Sequence, residues 1–127
     1  MDTAKYPYNI GAVLLEVLGV KQVLGGNTIL DDLSIRIPDV IRPGTTQGQI
    51  VAVLGPSGIG KTTLFRIMAG HDQPVEGTVS AMRDDNGLAT VTPGSIGVVG
   101  QHYPLLPHRT ALGNMLVAAE GNPELVK

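Results

Sequence analysis

Between a continuous apolar run at residues 50–54 (IVAVL) and a helically spaced apolar set at residues 62–69, the chain carries GPSGIGKT at residues 55–62. No other stretch restricts the fold as much. Residues 50–54 lack polar alternation, which predicts a strand buried on both faces of a parallel sheet. Leu64, Phe65, Ile67 and Met68 then recur at helical spacing, and Gly70 stands where a left-handed residue would end that helix. The loop between strand and helix has the pattern Gly55-x-x-x-x-Gly60-Lys61-Thr62. Glycines there permit positive φ and remove the Cβ atoms that would keep an anion away from backbone N–H groups. The first turn of the helix adds unpaired N–H donors and the positive end of a dipole. Lys61 supplies a cation for β- and γ-phosphates, the Thr62 hydroxyl is placed to ligate Mg²⁺, and Thr63 follows near an α-phosphate. The predicted phosphate cradle is therefore Gly55, Pro56, Ser57, Gly58, Ile59, Gly60, Lys61, Thr62 and Thr63.

Around this centre the letters outline an α/β chain. Residues 12–17 form a β-type run. Gly25-Gly26-Asn27 supplies a turn, and Ile29, Leu33, Ile35 and Ile37 alternate with polar neighbours as a half-exposed strand. Residues 38–49, punctuated by Pro43-Gly44 and Gly48, read as a loop. Residues 77–82 and 88–91 flank Asp84-Asp85-Asn86-Gly87, whose Asn-Gly pair predicts a hairpin. Residues 96–99 form another short buried run ending at Gly100-Gln101, and Thr110 can cap a helix over residues 111–119 that Gly121 stops. At 127 residues, all of this fits one domain spanning residues 1–127.

Composition narrows the partners. Nine basic residues lie scattered among eleven acidic ones for a net charge of −2, so no basic face is set out for nucleic acid. Without cysteine there are no disulfides and no thiolate metal sites. The apolar runs are too short for a helix across a bilayer, so no direct membrane span is expected. His71, His102 and His108 share no metal-ligand spacing. The pairs Asp31-Asp32 and Asp84-Asp85 read as solvated strand and turn positions, Arg66 as a surface residue, and Glu16 as part of the opening strand.

Four segments in order, TILDDLSIRI, GPSGIGKTTLFRIMAG, PVEGTV and IGVVGQHYPLLPHRTALGNM, resemble the ABC-type ATPases, the ATP-binding subunits of ABC transporters. That resemblance implies a P-loop NTPase core of RecA-like α/β type, present in part, with an N-terminal antiparallel β-subdomain. It implies ATP and Mg²⁺ as ligands, a transmembrane transporter subunit and a second nucleotide-binding domain as partners, and a cytoplasmic position on the inner face of the membrane. By the same likeness Gln101 takes the Q-loop position, contacting Mg²⁺ and the attacking water, and so joins Lys61 as a catalytic candidate. Leu24 stands where the family usually places an adenine-stacking aromatic residue. The loop at residues 39–49 is longer than the family's usual connection. The family's signature loop, Asp-Glu strand and switch histidine are not reached by Lys127, so this chain alone is expected to bind ATP without hydrolysing it. The letters leave open a non-hydrolysing nucleotide binder and a small P-loop phosphotransferase. The latter should show clustered arginines after the loop, whereas Arg66, Arg83 and Arg109 are widely separated.

Overall fold

Gly25 and Gly26 turn the chain back on itself with φ of 55° and 80°, the sign pattern of a type I′ hairpin. From this turn β1 (Asn9–Leu24) and β2 (Asn27–Ile41) run antiparallel. The computed structural model describes residues 7–45, 48–83, 87–99 and 105–118, in two compact units, Met1–Gly97 and Val98–Lys127.

β1 is longer than the expected run at residues 12–17, and it contains a bulge. Val17 pairs with Ile35 and Val20 with Leu33, so three steps of β1 oppose two of β2. The extra residue lets Val17 and Val20 both face inward despite their odd spacing, and both are fully buried. The bulge leaves the Gly19 N–H without a ladder partner, and it donates instead to Ser34 Oγ at 2.9 Å. Further along, Glu16 faces Arg36 in register and accepts a 2.6 Å hydrogen bond from its Nε. This is a cross-strand ion pair on the sheet, which places Glu16 in the opening strand as the sequence predicts.

β3 (Glu76–Met82) adds to the other edge of β1, and β4 (Leu88–Thr90) pairs with β3. The sheet has four strands in the order β2-β1-β3-β4, all antiparallel. The hairpin expected across residues 77–91 is thus present, although its Asp84-Asp85-Asn86 tip lies outside the described residues.

α1 (Lys61–Met68) covers this sheet. Leu64 and Ile67 enter a core with Val17, Val20, Leu30, Val79 and Val91. Burying an aliphatic side chain of this size stabilises by about 1.5–3 kcal/mol, which ties the short helix down. Phe65, grouped with the helix's inward residues in the sequence pattern, is half-exposed on the opposite face. The helix ends as Gly70 predicts. Gly70 has φ 76°, its N–H donates to the Ile67 carbonyl at 3.0 Å, and the His71 N–H donates to the Arg66 carbonyl at 2.9 Å. Those two bonds form a Schellman cap.

Three expectations are corrected. β2 continues through Pro38 to Ile41, so only the later part of residues 38–49 is loop. Residues 50–54 pair with no strand among the described residues, and Ile50 and Leu54 are 97% and 90% exposed. Residues 96–99 likewise form no strand; Ile96 packs against the core while Val99 is exposed. A strand exists through its ladder partner, and an apolar run alone cannot supply one. The parallel sheet expected around residues 50–54 is therefore not formed among the described residues.

In the second unit, α2 (Ala111–Ala118) begins at Thr110, whose Oγ1 accepts the Gly113 N–H at 3.1 Å. This is the predicted cap; the expected stop at Gly121 lies outside the described residues. Asn114 reaches back to the preceding turn. Its Oδ1 accepts the Leu106 N–H at 2.7 Å, and its Nδ2 lies 3.2 Å from the Leu106 carbonyl and 3.0 Å from that of Thr110. Turn and helix together border an open, largely apolar cavity of about 650 Å³ between Leu105, Pro107 and Met115.

Candidate functional site

The glycine loop reaches the sheet at Gly60. A Cβ built there would lie 3.0 Å from Ile29 Cγ2 and 3.2 Å from both the Ile29 carbonyl oxygen and Leu30 Cδ2. With φ 99° as well, the position is reserved for glycine by backbone and by space. The start of β2 is therefore the floor on which the loop turns into α1.

At that turn the helix leaves its first N–H groups without protein caps. The Leu64 N–H makes the first bond of the helix, to the Gly60 carbonyl at 2.9 Å. Gly60 offers no side-chain cap, and the first turn holds no acidic residue. An α-helix normally satisfies these donors with Ser, Thr, Asp or Asn at the cap. Here they face the loop with the positive end of the helix dipole behind them.

Lys61 is the first residue of α1, and its ammonium turns back across the loop. Nζ donates to the Gly55 carbonyl at 2.8 Å and to the Pro56 carbonyl at 2.6 Å. An ammonium has three donors, so two fix its place and one is left for an incoming anion. Gly58, with φ 81°, turns the loop in open space, since a Cβ there would meet nothing within 4 Å. Thr62 is exposed on the first turn and Thr63 half-buried beside it. Donor-rich backbone, one cation, the hydroxyls of Ser57, Thr62 and Thr63 and no carboxylate make a set that fits a polyphosphate.

The structure brings Gly55 through Thr63 together as one loop and helix start. Leu24 is half-exposed at the hairpin end, paired with Asn27, on the same end of the β1–β2 hairpin as Ile29 and Leu30 beneath Gly60. Gln101 and His102 lie outside the described residues. His71 and His108 are exposed, and among the described residues no cluster of three potential metal ligands occurs.

Arg66 lies on the last turn of α1, away from the loop. It grips Asp72 with two bonds, Nε to Oδ2 at 2.6 Å and Nη2 to Oδ1 at 2.7 Å. That hydrogen bonding lowers the Asp72 carboxyl below its ordinary value and holds Arg66 more firmly protonated. Arg66 and Asp72 are six apart across a helix end, a spacing that no helix-face rule pairs, so the sequence pattern misses their contact.

Comparison with known proteins follows the same residues. The ABC transporter family profile matches residues 41–125, well over half of the chain. The sulfate/thiosulfate import ATP-binding protein CysA 2 of Rhizobium meliloti (strain 1021) is 37% identical over 109 residues, 86% of this chain and 28% of that protein. CysA of Vibrio vulnificus (strain CMCP6) is 34% identical over 110 residues, 87% of this chain and 30% of its own length. The Fe(3+) ions import ATP-binding protein FbpC of Escherichia coli (strain K12) is 37% identical over 94 residues, 74% of this chain and 25% of that protein. The chain thus spans between a quarter and three tenths of the length of these relatives. Since the matched region contains the uncapped helix start and its lysine, the chain belongs to the ABC transporter family and carries the P-loop element of that family's NTPases.

Proposed function

We propose that residues 55–63 bind the phosphates of ATP, with Mg²⁺ on the Thr62 hydroxyl, within a subunit that couples ATP binding and hydrolysis to import across a membrane. The observation that carries this is the first turn of α1, uncapped by side chains and free of acid, with the Lys61 ammonium fixed beside it by two loop carbonyls. Backbone N–H groups of the loop and first turn orient the phosphates, and Lys61 offsets their charge. When bound, Mg·ATP supplies the transferable phosphoryl group and a divalent cation. Leu24 offers the base an apolar surface, and Gln101, by its place in the sequence, contacts Mg²⁺ and water.

Import is the direction named for the CysA and FbpC relatives, whose cargoes, sulfate/thiosulfate and Fe(3+) ions, differ at equal identity to this chain. The shared residues therefore serve the nucleotide, and cargo choice rests with other parts of the transporter. A transmembrane subunit and a second nucleotide-binding domain complete the assembly, which places the chain at the cytoplasmic face of the membrane. No described helix is long and apolar enough to cross a membrane.

Lys61→Ala tests the cradle. It removes a charge-assisted contact of about 1.5–3 kcal/mol, so ATP affinity should fall roughly ten- to a hundredfold, measured by calorimetry or a fluorescent nucleotide. Unchanged affinity in a folded variant rejects the assignment.

A further inference from the structure

The long connection between β2 and the phosphate loop returns to the sheet at one side chain. Gln49 Oε1 accepts the Val40 N–H at 2.9 Å, and Gln49 Nε2 donates to the Pro38 carbonyl at 2.9 Å. Residues 38 and 40 point their backbone groups to the same edge of β2, and β2 is the outer strand of the sheet. The amide of Gln49 thus makes the two bonds that a residue of a neighbouring strand would make opposite Asp39. Beyond this neck the connection forms its own turn, with the Thr45 N–H and hydroxyl both on the Arg42 carbonyl at 3.2 Å.

The consequence lies downstream. The chain leaves β2 after Ile41, touches it again through the Gln49 side chain, and meets it once more at Gly60, on Ile29 and Leu30. Between Leu30 and Pro38 the strand rises at most about 26 Å. The returning segment holds roughly eleven residues, reaching about 36–40 Å if fully extended. The positive-φ turns at Gly58 and Gly60 take up part of the surplus of about 10–14 Å. Ile50 and Leu54 are nearly fully exposed, so between the two points the segment is held by the half-buried Val53 and by Lys61 on the Gly55 and Pro56 carbonyls.

We propose that Gln49 is a positioning residue for the phosphate loop: it pins the upstream end of residues 50–60 to β2, as Gly60 pins the downstream end, and insulates the loop from the long connection. This inference rests on the phosphate-binding assignment above. Releasing the Gln49 end lets residues 55–60 sample conformations in which the N–H groups no longer converge.

The test combines ATP affinity with residue-resolved amide exchange in the nucleotide-free protein. For Gln49→Ala, ATP affinity should fall about three- to tenfold, the scale of one net neutral hydrogen bond. Exchange at the Leu64 amide, which donates to the Gly60 carbonyl at the end of the loop, should quicken while the β1–β2 amides keep their protection. Gln49→Glu retains an acceptor for Val40 and, ionised, cannot donate to Pro38, so it should fall between Gln49→Ala and the native protein. If Gln49→Ala changes neither affinity nor loop exchange while Lys61→Ala weakens ATP binding, the positioning role is wrong and the cradle stands. If exchange rises equally across β1–β2, Gln49 is a general stabiliser and the proposal is overturned. If Lys61→Ala is without effect, the cradle itself fails and the proposal fails with it.

Discussion

Gly70→Ala offers the most quantitative check on how α1 is held. A methyl at this position meets the backbone of the segment that follows β4: 2.7 Å from the Thr92 carbonyl carbon, 2.9 Å from its oxygen and 3.0 Å from Pro93 N. Main-chain atoms cannot rotate aside as side-chain tips can. Thr92 is also pinned, since its N–H donates to Ser95 Oγ at 3.1 Å while its carbonyl accepts from that hydroxyl at 2.6 Å. Gly26 provides the control, because its φ of 80° matches the 76° of Gly70 and a Cβ there meets nothing within 4 Å.

The two substitutions share one cost and differ in the other. Placing alanine in the left-handed region costs about 1–2 kcal/mol, offset by roughly 0.4–1 kcal/mol because alanine has less freedom to lose from the unfolded chain. Gly26→Ala should therefore destabilise by about 1 kcal/mol or less. Gly70→Ala adds the displacement of a packed backbone, typically about 1–3 kcal/mol, for a total of roughly 1–4 kcal/mol. Urea unfolding followed by far-ultraviolet circular dichroism measures both on one scale. Equal losses, at equal dependence on urea, refute the close approach of Gly70 to Thr92 and with it the account of how the end of α1 is seated.

Two further outcomes follow from side-chain bonds. Asp72 has its carboxyl lowered from the ordinary 3.8, chiefly by the Arg66 hydrogen bond, so its contribution to stability is present above that unfolded value and fades as pH falls through the lower folded one. Asp72→Asn should accordingly lower the melting temperature slightly at neutral pH, with the difference from the native protein shrinking in acid; a constant difference down to strong acid rejects the pair. Asn114→Ala releases the Leu106 N–H and the carbonyls of Leu106 and Thr110. It should cost about 1–3 kcal/mol of local stability, seen as faster exchange at the amides of residues 114–117, and unchanged exchange there counts against the clamp.

What could be read from the letters follows the range over which each feature is determined. The hairpin turn at Gly25-Gly26, the Gly70 cap and the Thr110 cap depend on a few consecutive residues, and the structure has all three. The inward set of α1 was legible except at Phe65, because a helix of eight residues has only two turns in which to separate one face from the other. The β1 bulge was not legible. Val17 and Val20 break the alternation by which a strand is recognised, and only the pairing with Ile35 and Leu33 explains their spacing.

The candidate site divides along the same line. The cradle from Gly55 to Thr63 is set by local chemistry: backbone donors, positive φ and one cation must be adjacent in sequence to converge on one anion. What holds that cradle in place is not local. Gly60 depends on Ile29 and Leu30, and Gln49 depends on Pro38 and Val40 having reached the outer edge of β2. A glutamine in a polar, glycine-punctuated stretch gives no sign that its amide will act as a strand. Residues 50–54 show the converse, five apolar residues that look like a buried strand, yet all but Val53 lie exposed for want of a ladder partner among the described residues. Between these two segments the anchoring of the loop passes from side chains that sequence pattern favours to one that it overlooks. Gln49 and Gly60 thus both rest on β2, the first at Pro38 and Val40, the second at Ile29 and Leu30.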